Sequence, residues 1–113
     1  KINKHDEVTY KRIKKVLRFI DDSLSDELNN EQLSKLINVS ESILLKSFKK
    51  TVGASPMQYV IKKRIDRARY LIITTDKKIS TIASECGFND MSYFAKQFKR
   101  IIGISPKEYK KER

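Results

Sequence analysis

Apolar residues recur at three- and four-residue steps along most of this chain, and no stretch alternates apolar and polar residues for more than a few positions. That pattern predicts amphipathic helices and no strands. From about Val8 to Leu24, the positions Ile13, Val16, Leu17, Ile20 and Leu24 mark one face of a first helix. The polar run "SDELNNEQ" breaks it, and Asn29 or Asn30 caps a short helix, "EQLSKLI", that begins at Glu31 and ends at Asn38. Ser40 is placed to cap "ESILLKSFKK", where Ile43, Leu44 and Phe48 form the inner face and Leu45 lies off it. Gly53 stops that helix, and Ser55-Pro56 restarts the chain as one long helix to about Ile73. After "TTDKK" the order returns. A short helix, "ISTIASEC", stops at Gly87, Asn89 or Asp90 caps "MSYFAKQFKR", Gly103 ends it, and Ser105-Pro106 opens a last short helix.

The chain thus repeats itself. "FKKTVGASPMQY" (Phe48–Tyr59) and "FKRIIGISPKEY" (Phe98–Tyr109) stand 50 positions apart. Upstream the offset is 49, which pairs Ser34 with Ala83, Ile37 with Cys86, Asn38 with Gly87 and Val39 with Phe88. A one-residue slip of this kind belongs in a loop, because loops absorb length changes and helices do not. A helix-turn-helix needs a small residue in its first helix, a turn residue tolerating positive φ, and apolar residues flanking the turn. The second half offers Ala83, Gly87 and Ile82/Phe88/Phe94, and the first offers Ser34, Asn38 and Leu33/Val39/Leu44. Asn is the commonest substitute for Gly in a left-handed conformation, so both copies satisfy the pattern.

Composition adds a partner class. The chain of 113 residues carries 25 Lys+Arg against 14 Asp+Glu, a formal net charge of +11. Residues 51–113 hold 14 of the basic and 6 of the acidic residues, so the excess concentrates in the second half. Such a balance points to an anionic partner, nucleic acid ahead of a membrane surface. With only 3 Gly and 2 Pro, most of the chain is expected to be regular helix, and its length allows one domain or two very small subdomains. A single cysteine, Cys86, cannot form an internal disulfide, and a lone His5 cannot complete a zinc site with it. The repeat sets Cys86 against Ile37, so it reads as a packed small hydrophobe. Without a Ser/His/Asp set, a carboxylate pair in an apolar setting or a metal cluster, neither catalysis nor a cofactor is expected. No apolar run approaches membrane-spanning length and no signal peptide is visible, which predicts a reducing, cytoplasmic setting. An opening Lys1 in place of Met suggests a fragment of a longer protein.

The run "GFNDMSYFAKQFKRIIGISPKEYKKER" resembles the signature of the AraC/XylS class of bacterial transcription regulators. In that pattern a Gly-Phe turn is followed by an Asp, a Ser-Tyr-Phe group, a basic residue, a Phe-Lys pair, a Gly-x-Ser-Pro step and a Tyr-Arg close. The chain departs from it at Lys96 and Lys110, where Arg is commoner, and keeps the charge at both. The resemblance covers about residues 8 to 112. It implies an all-α, homeodomain-like fold of seven helices: a helix-turn-helix subdomain over 1–54, a linker helix over 55–75 and a second helix-turn-helix subdomain over 76–113. It further implies double-stranded DNA as partner, a missing N-terminal sensor or dimerisation domain, and activation through RNA polymerase.

On the second helix of each half, outward residues near the N-terminus are the expected base readers. Glu41, Ser42, Leu45 and Lys46 qualify in the first half, and family position favours Ser42, Leu45 and Lys46. Met91, Ser92, Ala95 and Lys96 match them in the second. Lysine donates to guanine O6/N7, serine bonds either base, and Leu45, Met91 or Ala95 offers apolar contact to a thymine methyl. For Leu45 the competing role is core packing, and for Lys46 it is a phosphate contact or a solvated side chain. Tyr93 either contacts a phosphate or braces its subdomain. Phosphate anchoring is expected from Lys49, Lys50, Lys99 and Arg100, from Arg64 and Arg67 on the linker, and from backbone amides at the Ser40 and Asn89 ends. A linker of ~18 residues spans ~27 Å, close to the ~34 Å between major-groove openings on one face. One chain would then read an asymmetric site without dimerising. The competing class is a basic helical module that binds RNA or an anionic membrane surface without sequence preference.

Overall fold

The computed structural model describes the backbone of residues 4–113 and the side chains from residue 9 onward, so the expectations resting on Lys1, His5 and the Val8 side chain lie outside the described residues. Among the described residues seven helices follow one another: α1 (Lys4–Asp22), α2 (Asn30–Leu36), α3 (Glu41–Val52), α4 (Pro56–Thr74), α5 (Ile79–Glu85), α6 (Met91–Ile102) and α7 (Pro106–Glu112). No strand occurs among the described residues. The fold is all-α with a helix-turn-helix in each half, as the pattern predicts.

The chain divides into two compact units. One comprises residues up to Ser23 with Glu27–Val60, and the other comprises Leu24–Asp26 with Ile61–Arg113. Both are built to one plan, and the duplication is longer than the sequence pattern indicates. In the first unit Ile13, Val16 and Ile20 of α1 are fully buried, with Leu33, Leu44 and Phe48. In the second, Ile65, Ala68 and Ile72 of α4, 52 positions on, take the same places beside Ile82, Phe94 and Phe98. The helix α4 therefore serves twice. Its first turns, through buried Val60, finish one core, and its later turns open the next.

The repeated dozen residues now have a mechanical reason. Gly53 and Gly103 end α3 and α6 in the left-handed region, and their N–H groups donate to the Lys49 and Lys99 carbonyls. Ser55 Oγ and Ser105 Oγ then accept from the backbone N–H of Gln58 and Glu108, restarting the chain. Across each stop, Phe48 meets Tyr59 edge-on at 5.8 Å, and Phe98 meets Tyr109 at 5.6 Å. Such pairs add about 0.5–1.5 kcal/mol beyond the area they bury. They fix the angle at which each restarted helix leaves.

Caps fall largely where the sequence places them. Asn29 Oδ1 accepts from Gln32 N–H, Ser40 Oγ accepts from Ile43 N–H, and Asp90, of the two candidates there, accepts from Tyr93 N–H. Two expectations need correction. The helix α1 stops at Asp22, so Leu24 lies beyond it, in a turn that belongs to the second unit. Ile43 is 53% exposed and does not line the inner face of α3. At about 100° per residue, Ile43 sits ~140° from Phe48 around the helix, whereas Leu44 and Phe48 share one line.

Both turns use positive φ, with Asn38 at 57° and Gly87 at 95°. The small residues before them, Ser34 and Ala83, are buried as a close helix crossing requires. Asn38 is exposed, so only its backbone conformation matters. Asn38→Ala is expected to lower stability by about 1–2 kcal/mol through left-handed strain, while Asn38→Gly stays close to wild type. Urea denaturation of the two variants checks this.

Candidate nucleic-acid interface

Each recognition-helix candidate stands on the same support: a polar cap at its N-terminus, two buried residues one turn apart, and a Gly stop. In α3, Leu44 and Phe48 hold the helix inward. Ser42, Leu45 and Lys46 consequently face solvent, together with Glu41. Leu45 is 38% exposed, so core packing is not its role. In α6 the inward pair is Phe94 and Phe98. Met91, Ser92 and Lys96 are exposed, while Ala95 is half-buried on the flank. Lys46 and Lys96 have no ion pair among the described residues.

The expected phosphate contacts separate into groups. Lys49 and Lys50 occupy the last turn of α3, and Lys99 and Arg100 that of α6, all exposed. Those positions also favour cations through the helix dipole, so part of their charge serves the helix itself. Arg100 Nε donates to Gln97 Oε1 at 2.8 Å, which steadies its side chain. Tyr93 braces its subdomain, its ring lying 6.3 Å from Phe88, and is 44% exposed. Ser40 ends α3 as a cap, whereas Asn89 stands one residue outside the α6 cap. Arg67 is exposed on α4.

Arg64 differs from the other cations. Its Nε donates to the Leu24 carbonyl at 2.9 Å, and its Nη2 donates to the Asp26 carbonyl at 2.7 Å. Burial lowers its pKa, with Cys86 and Tyr93 opposing the shift. Ser25 Oγ donates to the Glu85 carbonyl nearby, so the Leu24–Asp26 turn is held at both ends of its short run. Through these bonds the arginine clamps the Leu24–Asp26 turn in the second unit.

Arg12 is a residue the sequence pattern did not single out, and Ile43 one it assigned to the core. With Thr9, Ile37, Val39 and Ser47 they line a cavity of about 360 Å³ that reaches Lys46. The available signal was slight, since Arg12 simply precedes buried Ile13 and so lies on the flank of α1 that meets α3.

Cys86 packs in the second core as Ile37 does in the first. Burial pushes its thiol from 9.0 up to about 11, Arg67 pulling the other way. Because the folded pKa is raised, the thiol's contribution to stability is full below about pH 9 and is lost as pH climbs from 9 toward 11. At pH 8, iodoacetamide is therefore expected to label Cys86 only as fast as the second unit opens. Immediate labelling of native protein would contradict this. The described residues contain no group of three or more His, Cys, Asp or Glu able to hold a metal, and no helix long and apolar enough to cross a membrane.

The chain matches a family model described as a helix-turn-helix domain over residues 33–112. It is 35% identical over 106 residues to the probable transcriptional regulator LumQ of Photobacterium leiognathi, covering 92% of this chain and 43% of that protein. It is 33% identical over 100 residues to the transcriptional activator RhaS of Mannheimia succiniciproducens, covering 88% of this chain and 37% of that one. The chain thus spans well under half the length of these curated relatives. Among solved structures it is similar to the DNA-binding domain of the global transcriptional factor AdpA in complex with a target DNA. That match has a TM-score of 0.85 and 25% identity, over 88% of this chain and 90% of that one.

Proposed function

Since the chain belongs to the AraC/XylS family of helix-turn-helix transcription regulators, we propose that it binds double-stranded DNA sequence-specifically through the outer faces of α3 and α6. Each helix enters a major-groove segment. Ser42, Leu45 and Lys46 read bases in one, and Met91, Ser92, Ala95 and Lys96 read bases in the other. Lys49, Lys50, Arg67, Tyr93, Lys99, Arg100 and the amides at the Ser40 and Asn89 ends bond phosphates and set the register. The observation that carries this reading is the doubled support. Two helices of equal length are each fixed by two buried inner residues, a polar cap and a Gly stop at matching positions, while outward they share Ser42/Ser92 and Lys46/Lys96, lysines with no ion pair among the described residues, and differ at Glu41/Met91 and Leu45/Ala95.

The linker over residues 55–75, which contains α4, acts as the strut that spaces the two readers, so one chain covers an asymmetric site. The relatives are longer than this chain. On this reading a sensor or dimerisation domain precedes these residues in the whole regulator, which acts as an activator by contacting RNA polymerase in the cytoplasm.

Selection of bound duplexes from a random pool, followed by footprinting, tests the reading. The expected result is one asymmetric consensus with two protected major-groove segments about one helical turn apart. Equal retention of all sequences at physiological salt, or preference for RNA or anionic vesicles, would overturn it.

A further inference from the structure

The proposed DNA-reading faces leave one dense group of cations without a role. Lys11, Lys14, Lys15 and Arg18 follow i, i+3, i+4, i+7 spacing on α1 and so share one helix face about 10 Å long. Their side chains enclose a shallow depression of about 240 Å³. At about 100° per residue this face lies opposite Ile13, Val16 and Ile20, which point into the core where α1 packs on α3. The stripe therefore points away from the side of α1 that packs on α3.

On other helices Lys35 and Lys62 are neutralised locally, by Glu31 and Asp66. On this face Lys14, Lys15 and Arg18 have no ion pair among the described residues. Beside the cations, Tyr10 is 49% exposed, with Lys14 Nζ 5.6 Å from its ring centre.

We infer that this face of α1 is a docking surface for an acidic helical segment of a partner protein. Three observations select that occupant among polyanions. The stripe is two turns long and ends at exposed Asp22, on the same face. A nucleic-acid rod, negative along its whole length, would meet that carboxylate, whereas a short acidic helix would not. An anionic membrane calls for an apolar face lying in the interface, and the apolar face of α1 is buried in the core. Tyr10 and Arg18 are residue types that anchor protein interfaces, with the lysines steering an acidic partner toward them. Carboxylates at i, i+3, i+4 and i+7 of an incoming helix would present the complementary row.

The test uses a labelled helical peptide carrying Glu at those four positions and a matched peptide carrying Gln, with fluorescence anisotropy at low and physiological salt. The Glu peptide is expected to bind, weakening with salt, and the Gln peptide to bind at least about tenfold more weakly. Lys14→Glu/Arg18→Glu is expected to cost at least about tenfold in peptide affinity, and the uncharged Lys14→Gln/Arg18→Gln to fall between. Circular dichroism of both variants shows that α1 remains folded. A duplex selected as above should bind these variants as it binds wild type, and should leave peptide affinity unchanged. Equal binding of the two peptides, indifference to charge reversal, or displacement of the peptide by duplex would overturn the inference. So would a tenfold loss of duplex affinity in the reversed variant, which would make the stripe a phosphate contact. The peptide arms stand whether or not the chain reads DNA.

Discussion

Gly87→Ala is expected to be the most damaging single substitution in the second unit, costing about 3–5 kcal/mol. Two independent effects add. The residue sits at φ 95°, where any Cβ brings about 1–2 kcal/mol of strain. The space is also taken: a Cβ would lie 2.5 Å from the Leu24 carbonyl oxygen and 2.7 Å from Arg64 Nε. The carbonyl is backbone and cannot swing aside, so relief requires breaking the Arg64–Leu24 hydrogen bond. Hydrogen bonds to charged groups contribute roughly 1.5–3 kcal/mol, and this one is partly buried.

Gly103→Ala supplies the control, because Gly103 has φ 102° and nothing within 4 Å of its would-be Cβ. It should show the strain alone, about 1–2 kcal/mol. Hydrogen exchange read at α5 and α6 follows the second unit without assuming that both units unfold together. If Gly87→Ala costs no more than Gly103→Ala, the close approach of the Leu24–Asp26 turn contributes nothing to stability.

That contrast also marks what the sequence could and could not reveal. Asn38 and Gly87 are recognisable as equivalent turn residues, because positive φ is a local demand that restricts residue type. Their inequivalence is invisible there, since it arises from a carbonyl and a guanidinium brought in from 63 and 23 positions away. The partners of Arg64 are hidden for the same reason. A cation on an exposed-looking helix face signals an anion, whereas its actual partners are main-chain carbonyls that no side-chain pattern advertises. The matching core triads of α1 and α4 escape notice because Ala68 replaces Val16 and the connecting loops differ in length. Ile43 fails differently: an apolar residue next to Leu44 reads as core by type, and only its angle around α3 places it outside. The caps, the Gly stops and the inward Phe residues were legible, because each is set within one or two helical turns.

Replacing both Lys46 and Lys96 by Ala is expected to cost about 2–6 kcal/mol of affinity for the selected duplex, each single change costing about 1–3 kcal/mol. The lysines belong to different compact units and share no partner, so the two losses should add within about 0.5 kcal/mol. Each single variant should also relax discrimination at one position of the site, and the two positions should fall in different protected segments. Lys49→Ala and Lys99→Ala, by contrast, should weaken all sequences alike and lower the salt slope by about one each. Titrations against the selected duplex and its single-base variants separate these outcomes. A double variant no weaker than either single would mean that α3 and α6 do not engage one DNA molecule together, and the strut role of α4 would fall with it. A loss uniform across sequences would reassign the lysines to phosphates and leave Ser42, Leu45, Met91, Ser92 and Ala95 as the only readers. Of the outward positions, Leu45/Ala95 and Glu41/Met91 differ between α3 and α6 while the architecture beneath them matches. Separate positions of relaxed specificity for Lys46 and Lys96 would therefore show one supporting architecture used twice to read two unlike sequences.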